Sequence, residues 1–378
     1  MLDAQASGQQ NIPGPRGCSE ARNGHFRNNS GHHLKICPIM NSSGPALPIH
    51  VLLPFCIQDM IAQGYDLGDV LAGTHLDSKT WDRPESVLSA AQELAIYANI
   101  ERLLQPGAAG LELGSRINVN AIGMMGGLLR NSRNVGHAGY LLRRFHPLTN
   151  RWFTSELIGA VSPGKTVVRY RPVTDLGRLY RLLIDLSIRG TQQLLVEIFG
   201  PAAGAYVSEV TFGYAAPGDA QRYAAELGCP VNFGNEYTLV SFDNEIGKMP
   251  NTGHSNFSYQ VFHQQCRASA FRFGPTSWRE RTLNILASLD YYPSAEAMAA
   301  KLNCSERSLR RHFNNEGVQY SELIDKVRFD RAAYLLVHST DSVKKISNQL
   351  AYSEPQAFGR AFYRWSGLTP TQFRRRGQ

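Results

Sequence analysis

The chain lacks a membrane-length apolar run and a secretory h-region, so it offers no transmembrane span or signal peptide to read. Its six cysteines, at 18, 37, 56, 229, 266 and 304, show no C-x-x-C spacing, which excludes a legible zinc site or disulfide framework. The stretch AIGMMGGLL at 121–129 misses G-x-G-x-x-G and has no strand–turn–helix context. It therefore reads as a tightly packed helix rather than a phosphate loop. His137, His146, Glu156, Glu197, His254 and His263 fall at no ligand or triad spacing. No catalytic residue, metal or cofactor is expected, and a cytoplasmic non-enzyme is the simple inference.

Charge is what the chain does have, and its placement matters more than its size. Of the net +8, most falls on 277–378, where 16 Lys and Arg face 10 Asp and Glu. A basic last quarter on a nearly neutral remainder suits a polyanion-binding module attached to a partner domain. A length of 378 residues leaves room for two or three domains.

That basic quarter holds one local pattern twice: a short helix, a tight turn, then a basic helix. The first copy is SAEAMAAKLNCSERSLRRHFNNEG at 294–317, and the second is DSVKKISNQLAYSEPQAFGRAFYRWSG at 341–367. In the first, Ser294 caps a helix through Leu302, Asn303 and Cys304 turn, and Ser305 caps the next helix. Leu309 and Phe313 are one turn apart and face inward, leaving Arg307, Arg310, Arg311 and Asn314 outside. In the second, Thr340 or Asp341 caps a helix striped with Val343, Ile346 and Leu350. Ala351 and Tyr352 turn, Ser353 is the next cap, and Pro355 sits near the helix start. Phe358 and Phe362 pair inward, with Trp365 extending the pair; Gln356, Gly359, Arg360 and Arg364 are left for the outer side. Between the copies, Leu323, Val327, Ala332, Leu335 and Leu336 stripe one long helix over 320–337. At ~1.5 Å per residue it would run roughly 27 Å, near the ~34 Å between successive major-groove faces of B-DNA. Arginine is also the side chain best shaped to hold guanine O6 and N7.

Here the chain resembles the AraC/XylS family of bacterial transcription regulators. The resemblance rests on the first unit, Ala332-Ala333 and Leu335-Leu336 of the linker, and FGRAFYRWSGLTPTQFR at 358–374. It implies that Arg307, Arg310, Arg311, Gln356 and Arg360 fall where family members reach bases or backbone. Ala351 departs from the family, which usually has Gly there.

Upstream, 1–45 reads as a disordered leader rich in Asn, Gly, Ser, Gln and His, with Met1 or Met40 as the start. The next expected helices end near Gly64 and cover 86–104, the latter striped by Leu88, Ala91, Ala95 and Ala98. Asn134 caps another helix through about Phe145. A hairpin across Ser162-Pro163-Gly164 follows, then a helix over 176–199, a strand over 206–214, a helix over 218–227, a strand over 231–242 and a helix over 256–268. The boundary falls at Phe273-Gly274-Pro275. VLAG at 70–73, LELGSRI at 111–117 and CPVNF at 229–233 are similar to the arabinose-binding-type N-terminal domain of the same family, in a subgroup typified by regulators of ornithine utilisation. That likeness implies a sensor or dimerisation domain. Its strands are too few for a cupin barrel.

The expected fold is an α+β N-terminal sensor or dimerisation domain, mostly helical with a small sheet, followed by an all-α domain of two helix-turn-helix units joined by a long helix. The expected division is a leader at 1–45, the N-terminal domain at 46–270 and the DNA-binding domain at 276–378. Expected partners are double-stranded promoter DNA, RNA polymerase, a small-molecule effector and a second copy of the chain, with no membrane. Arg143, Arg144, Arg169 and Arg171 would form an anion site if they converge. A constitutive dimeric regulator, an architectural DNA protein and a DNA-directed enzyme stay open as alternatives. The effector, the operator and the sign of regulation are not written in the residues.

Overall fold

The computed structural model describes residues 47–48, 52–77, 81, 83, 86–104, 109–158, 163–269 and 277–377. The leader at 1–45, Met40 and the boundary at Phe273-Gly274-Pro275 lie outside these residues. Helices α1 (Leu52–Ala62) and α2 (Leu67–Val70) follow strand β1 (Leu47–Pro48), which pairs antiparallel with β2 (Val87–Leu88). Helix α3 (Ala90–Leu103) begins later than the expected start at 86. Val87 and Leu88 are taken by the strand, and Ser89 forms a reciprocal capping box with Gln92. Its buried face is Glu93, Ile96, Tyr97 and Ile100; Ala91, on the expected stripe, is exposed. Glu93 is only 1 % exposed and is neutralised by Arg151 at 3.1 Å, with Trp152 Nε1 donating to it at 3.1 Å.

Small residues let two helices meet closely. Helix α4 (Ala109–Arg116) lies against α7 (Leu179–Phe199) through Gly110 and Gly114. A Cβ on Gly110 would stand 2.3 Å from the Leu182 carbonyl oxygen, so no side chain fits there. Helices α5 (Met124–Arg130) and α6 (Val135–Arg144, capped by Asn134) complete this layer.

The hairpin appears as β3 (Phe153–Leu157) and β4 (Lys165–Pro172). With β5 (Val207–Thr211), β6 (Val231–Asn232) and β7 (Thr238–Asp243) they form a sheet of order β3-β4-β7-β5-β6, parallel only between β5 and β6. The single strand expected over 231–242 is thus two, because the chain turns through Gly234 at φ 81°. Helices α8 (Ala220–Leu227), α9 (Asn244–Gly247) and α10 (Asn256–Ser269) flank the sheet in sequence.

Seven helices follow: α11 (Trp278–Ser288), α12 (Ala295–Lys301), α13 (Glu306–Asn315), α14 (Tyr320–His338), α15 (Val343–Gln349), α16 (Pro355–Ser366) and α17 (Pro370–Gly377). Their apolar side chains belong to two separate cores. Ile285, Leu286, Met298, Leu302, Leu309, Phe313 and Leu323 close a small core around α12 and α13. By contrast Phe329, Ala332, Leu336, Ile346, Phe358 and Phe362 join the large core that runs through the N-terminal half. The second unit is therefore packed continuously with that half, whereas the first has a separate buried core that Tyr292, packed against both, borders.

Candidate nucleic-acid interface

Both turn–helix junctions are built as their residues dictate, with two changes of cap. Ser294 accepts a hydrogen bond from the Ala297 amide, and Ser305 accepts one from the Ser308 amide. Asn303 turns the chain at φ 54°. In the second unit the cap is Ser342, accepting from the Lys345 amide, and not Thr340 or Asp341. Asp341 instead holds Lys345 Nζ at 2.6 Å. Glu354 rather than Ser353 precedes α16, with Pro355 in its first turn and no side-chain cap. Ala351 occupies the left-handed region at φ 57°, the conformation in which a β-carbon is strained.

Each outer helix is held from behind. On α13, Leu309 and Phe313 are buried, and His312 stacks on Trp278 of α11 at 3.9 Å. Glu316, just past α13, accepts from the Trp278 and Arg279 amides at 2.7 and 2.8 Å. On α16, Phe358 and Phe362 are buried, and Phe362 meets Phe329 of α14 and Phe373 of α17. Arg328 on α14 lies between the rings of Tyr292 and Tyr352 at 4.6 and 4.8 Å, clasping the lead-in to one unit and the turn of the other. Arg374 donates to the Leu336 and Asp341 carbonyls, so this member of the basic tail is structural.

The opposite faces are open. Arg307, Arg310, Arg311 and Asn314 are exposed on α13, and Gln356, Arg360 and Arg364 on α16. Arg310 rests on Glu306 at 2.9 Å, an exposed pair one turn apart. Arg364 reaches back to Asp325 of α14 at 2.9 Å, which ties the outer helix to the linking helix. Tyr363 was not singled out from sequence, yet it is 57 % exposed. Its spacing from Gln356 and Arg360, seven and three residues, places all three on one helical face, and that was the signal to follow. Gly359 has open space where a Cβ would stand.

The four candidate anion-binding arginines do not converge. Arg169 and Arg171 lie over the Tyr237 ring at 5.6 and 4.7 Å, and Arg171 also nears Glu156 at 3.6 Å. Arg143 and Arg144 instead line a cavity of about 130 Å³ between the N-terminal half and α11 and α14. Arg144 crosses to the Ala287 and Leu289 carbonyls at 2.8 and 3.2 Å and to Asp290 at 3.2 Å. Burial pushes the Asp290 carboxyl up, but Arg144 and Arg267 outweigh it and hold it below the usual range. Nearby, Tyr140 of α6 stacks on Tyr334 of α14 at 4.5 Å, and His338 fills the space above Gly136 and Gly247. The linking helix is thus a common wall: one side carries the outer helices, the other packs on the N-terminal half.

Glu197 among the scanned carboxylates is spent on the Val119 amide and Arg130, both at 2.8 Å. Among the described residues no group of three His, Cys, Asp or Glu could hold a metal ion. Among the described residues no helix is long and apolar enough to cross a membrane.

Two exposed basic helices, each braced by a shorter one and set on a shared 19-residue helix, define a helix-turn-helix transcription regulator that binds DNA. A family model for the arabinose-binding domain of AraC transcription regulators matches residues 64–251, and one for a helix-turn-helix domain matches 298–376. The chain is 27 % identical over 301 residues to the ornithine utilization regulator of Pseudomonas aeruginosa, covering 78 % of this chain and 86 % of that one. It is 28 % identical over 296 residues to the regulator VqsM of the same species, covering 74 % and 87 %. The crystal structure of the regulator CdpR from Pseudomonas aeruginosa matches over 85 % of this chain and 98 % of that one, at 21 % identity and a TM-score of 0.41. The chain belongs to the AraC family of transcription regulators.

Proposed function

We propose that α13 and α16 read two successive major-groove segments of promoter DNA on one side of the duplex, and that the protein acts as an activator. The observation that supports this most is the clasped linking helix. Arg328 between Tyr292 and Tyr352 links two exposed basic helices through one rod of about 28 Å, close to the ~34 Å groove repeat. Arg307, Arg310, Arg311, Asn314, Gln356 and Arg360 make the base and backbone contacts in this reading; Arg364 contributes after its pair with Asp325 loosens. Lys and Arg on phosphate give affinity, and Arg and Gln on base edges give choice. The DNA-binding domain is 276–378, and 46–270 senses a small molecule, pairs subunits, or both. RNA polymerase is the downstream partner, and the protein works in the bacterial cytoplasm on the nucleoid. Recovering bound genomic fragments and footprinting them tests this. Two protected segments about ten base pairs apart are expected; one segment, or equal retention of random duplex at physiological salt, defeats it.

A further inference from the structure

We propose that the cavity between the N-terminal half and the first helix-turn-helix unit is an effector site for a small organic carboxylate with an apolar body, and that its occupation fixes how that unit sits on the rest of the molecule. This deepens the regulator reading and rests on it for its consequence.

Two donors point to an anion. Arg143, on α6, has its Nε buried without a partner and spends Nη1 on the Gly139 carbonyl at a long 3.3 Å. Among the described residues no carboxylate lies within ion-pair distance of it. Asn284, on α11, is 5 % exposed, lines the same cavity, and has its Nδ2 unpartnered. Buried donors of this kind are costly to leave unmade, and a carboxylate has the lone pairs to take both. Arg331 adds positive charge to the wall, and Lys326 adds less, because burial lowers its ammonium toward the neutral form. Glu280 and Asp330 oppose it, but burial raises both carboxyls toward the neutral form. Phe153, Leu283 and Val327 give the cavity its apolar side.

The consequence follows from the two cores. The second unit shares the large core, so its place is tied to the N-terminal half. The first unit has its own core and meets the N-terminal half across this cavity and the Arg144 bridge. A ligand held by α6 on one side and α11 on the other prefers the arrangement in which both reach it, so it shifts that equilibrium.

The test uses the full chain, titrated calorimetrically with butanoate through octanoate and phenylacetate, each beside its matched amide and amine. At least one acid should bind, with its amide and amine about tenfold weaker or worse. Arg143→Gln and Asn284→Leu should each weaken that acid about tenfold, and Arg143→Lys should restore part of the loss. Asp330→Asn should leave it unchanged or tighten it, because it removes no donor and ends whatever repulsion that carboxyl retains. On DNA the bound acid should alter the footprint of the first unit and not that of the second. Binding of no acid, equal binding of the amines, or unchanged affinity in Arg143→Gln and Asn284→Leu with native circular dichroism overturns the proposal. Specific DNA binding without acid is scored separately, so failure of the regulator reading is told apart from failure of the site.

Discussion

Replacing Arg310 with alanine separates reading DNA from folding. In the free protein the side chain is 75 % exposed and pairs with Glu306, one turn away. Such an exposed i,i+4 pair stabilises by about 0.3–0.5 kcal/mol, and alanine's higher helix propensity offsets part of that. The change in folding stability should therefore stay below about 0.5 kcal/mol. If Arg310 holds a guanine edge, the same substitution should cost about 1–3 kcal/mol of specific binding, or about 5- to 150-fold in Kd. Fluorescence anisotropy against the selected operator and its single-base variants reads this directly. The loss should be confined to one base position, where the variant protein stops discriminating. A uniform loss across all duplexes, with a shallower salt dependence, would instead make Arg310 a phosphate contact. Equal affinity of mutant and wild type everywhere would refute its role. Glu306→Ala supplies the opposite sign: with its competitor for the guanidinium removed, binding should hold or tighten.

Ala351→Gly should stabilise the protein by about 1 kcal/mol, because glycine relieves the strain at φ 57°; an unchanged denaturation midpoint contradicts that. Gly110→Ala should destabilise by about 2–3 kcal/mol, since its Cβ must displace the Leu182 carbonyl or the Asp185 side chain; a native melting temperature would show that α4 and α7 can part freely. Burial drives His137 and His338 down to about 3 and His146 and His263 to about 4. Their unfolded value is near 6.5, so between these limits the unfolded chain binds more protons and stability falls as pH falls from about 6.5. Melting temperature should drop steadily on acidification and drop less in His338→Gln; a flat profile from neutral to about pH 5 is incompatible with buried neutral imidazoles.

The helix-turn-helix units were legible because their signals are local. Ser294, Ser305 and the pairs Leu309/Phe313 and Phe358/Phe362 are spaced by the helix itself, and a buried face four residues apart needs no distant partner to recognise. Sequence and structure part where neighbours compete. Thr340, Asp341 and Ser342 can all cap α15, and only the tertiary fold gives the place to Ser342. At 86–89 a two-residue strand pairing removed the start of an expected helix. The strand over 231–242 looked continuous in β-formers, but Gly234 breaks it. The cavity was invisible for a different reason. Arg143 and Asn284 are 141 positions apart in the numbering, and no periodicity joins them. The candidate arginines share a chemistry but not a location: Arg169 and Arg171 lie over Tyr237, while Arg143 and Arg144 line the cavity.

One helix, α14, serves two masters, and that limits how this regulator can be recombined. Its Tyr334 and His338 complete the surface of the N-terminal half, while its Arg328 and Asp325 brace the two reading heads. A chimera cut in the interval between 269 and 277 would graft the reading heads together with half of an alien joint. Exchange between relatives therefore has to carry the inner face of α14 along with the upstream half it fits, so that what is inherited as one piece does not coincide with what is contiguous in the chain.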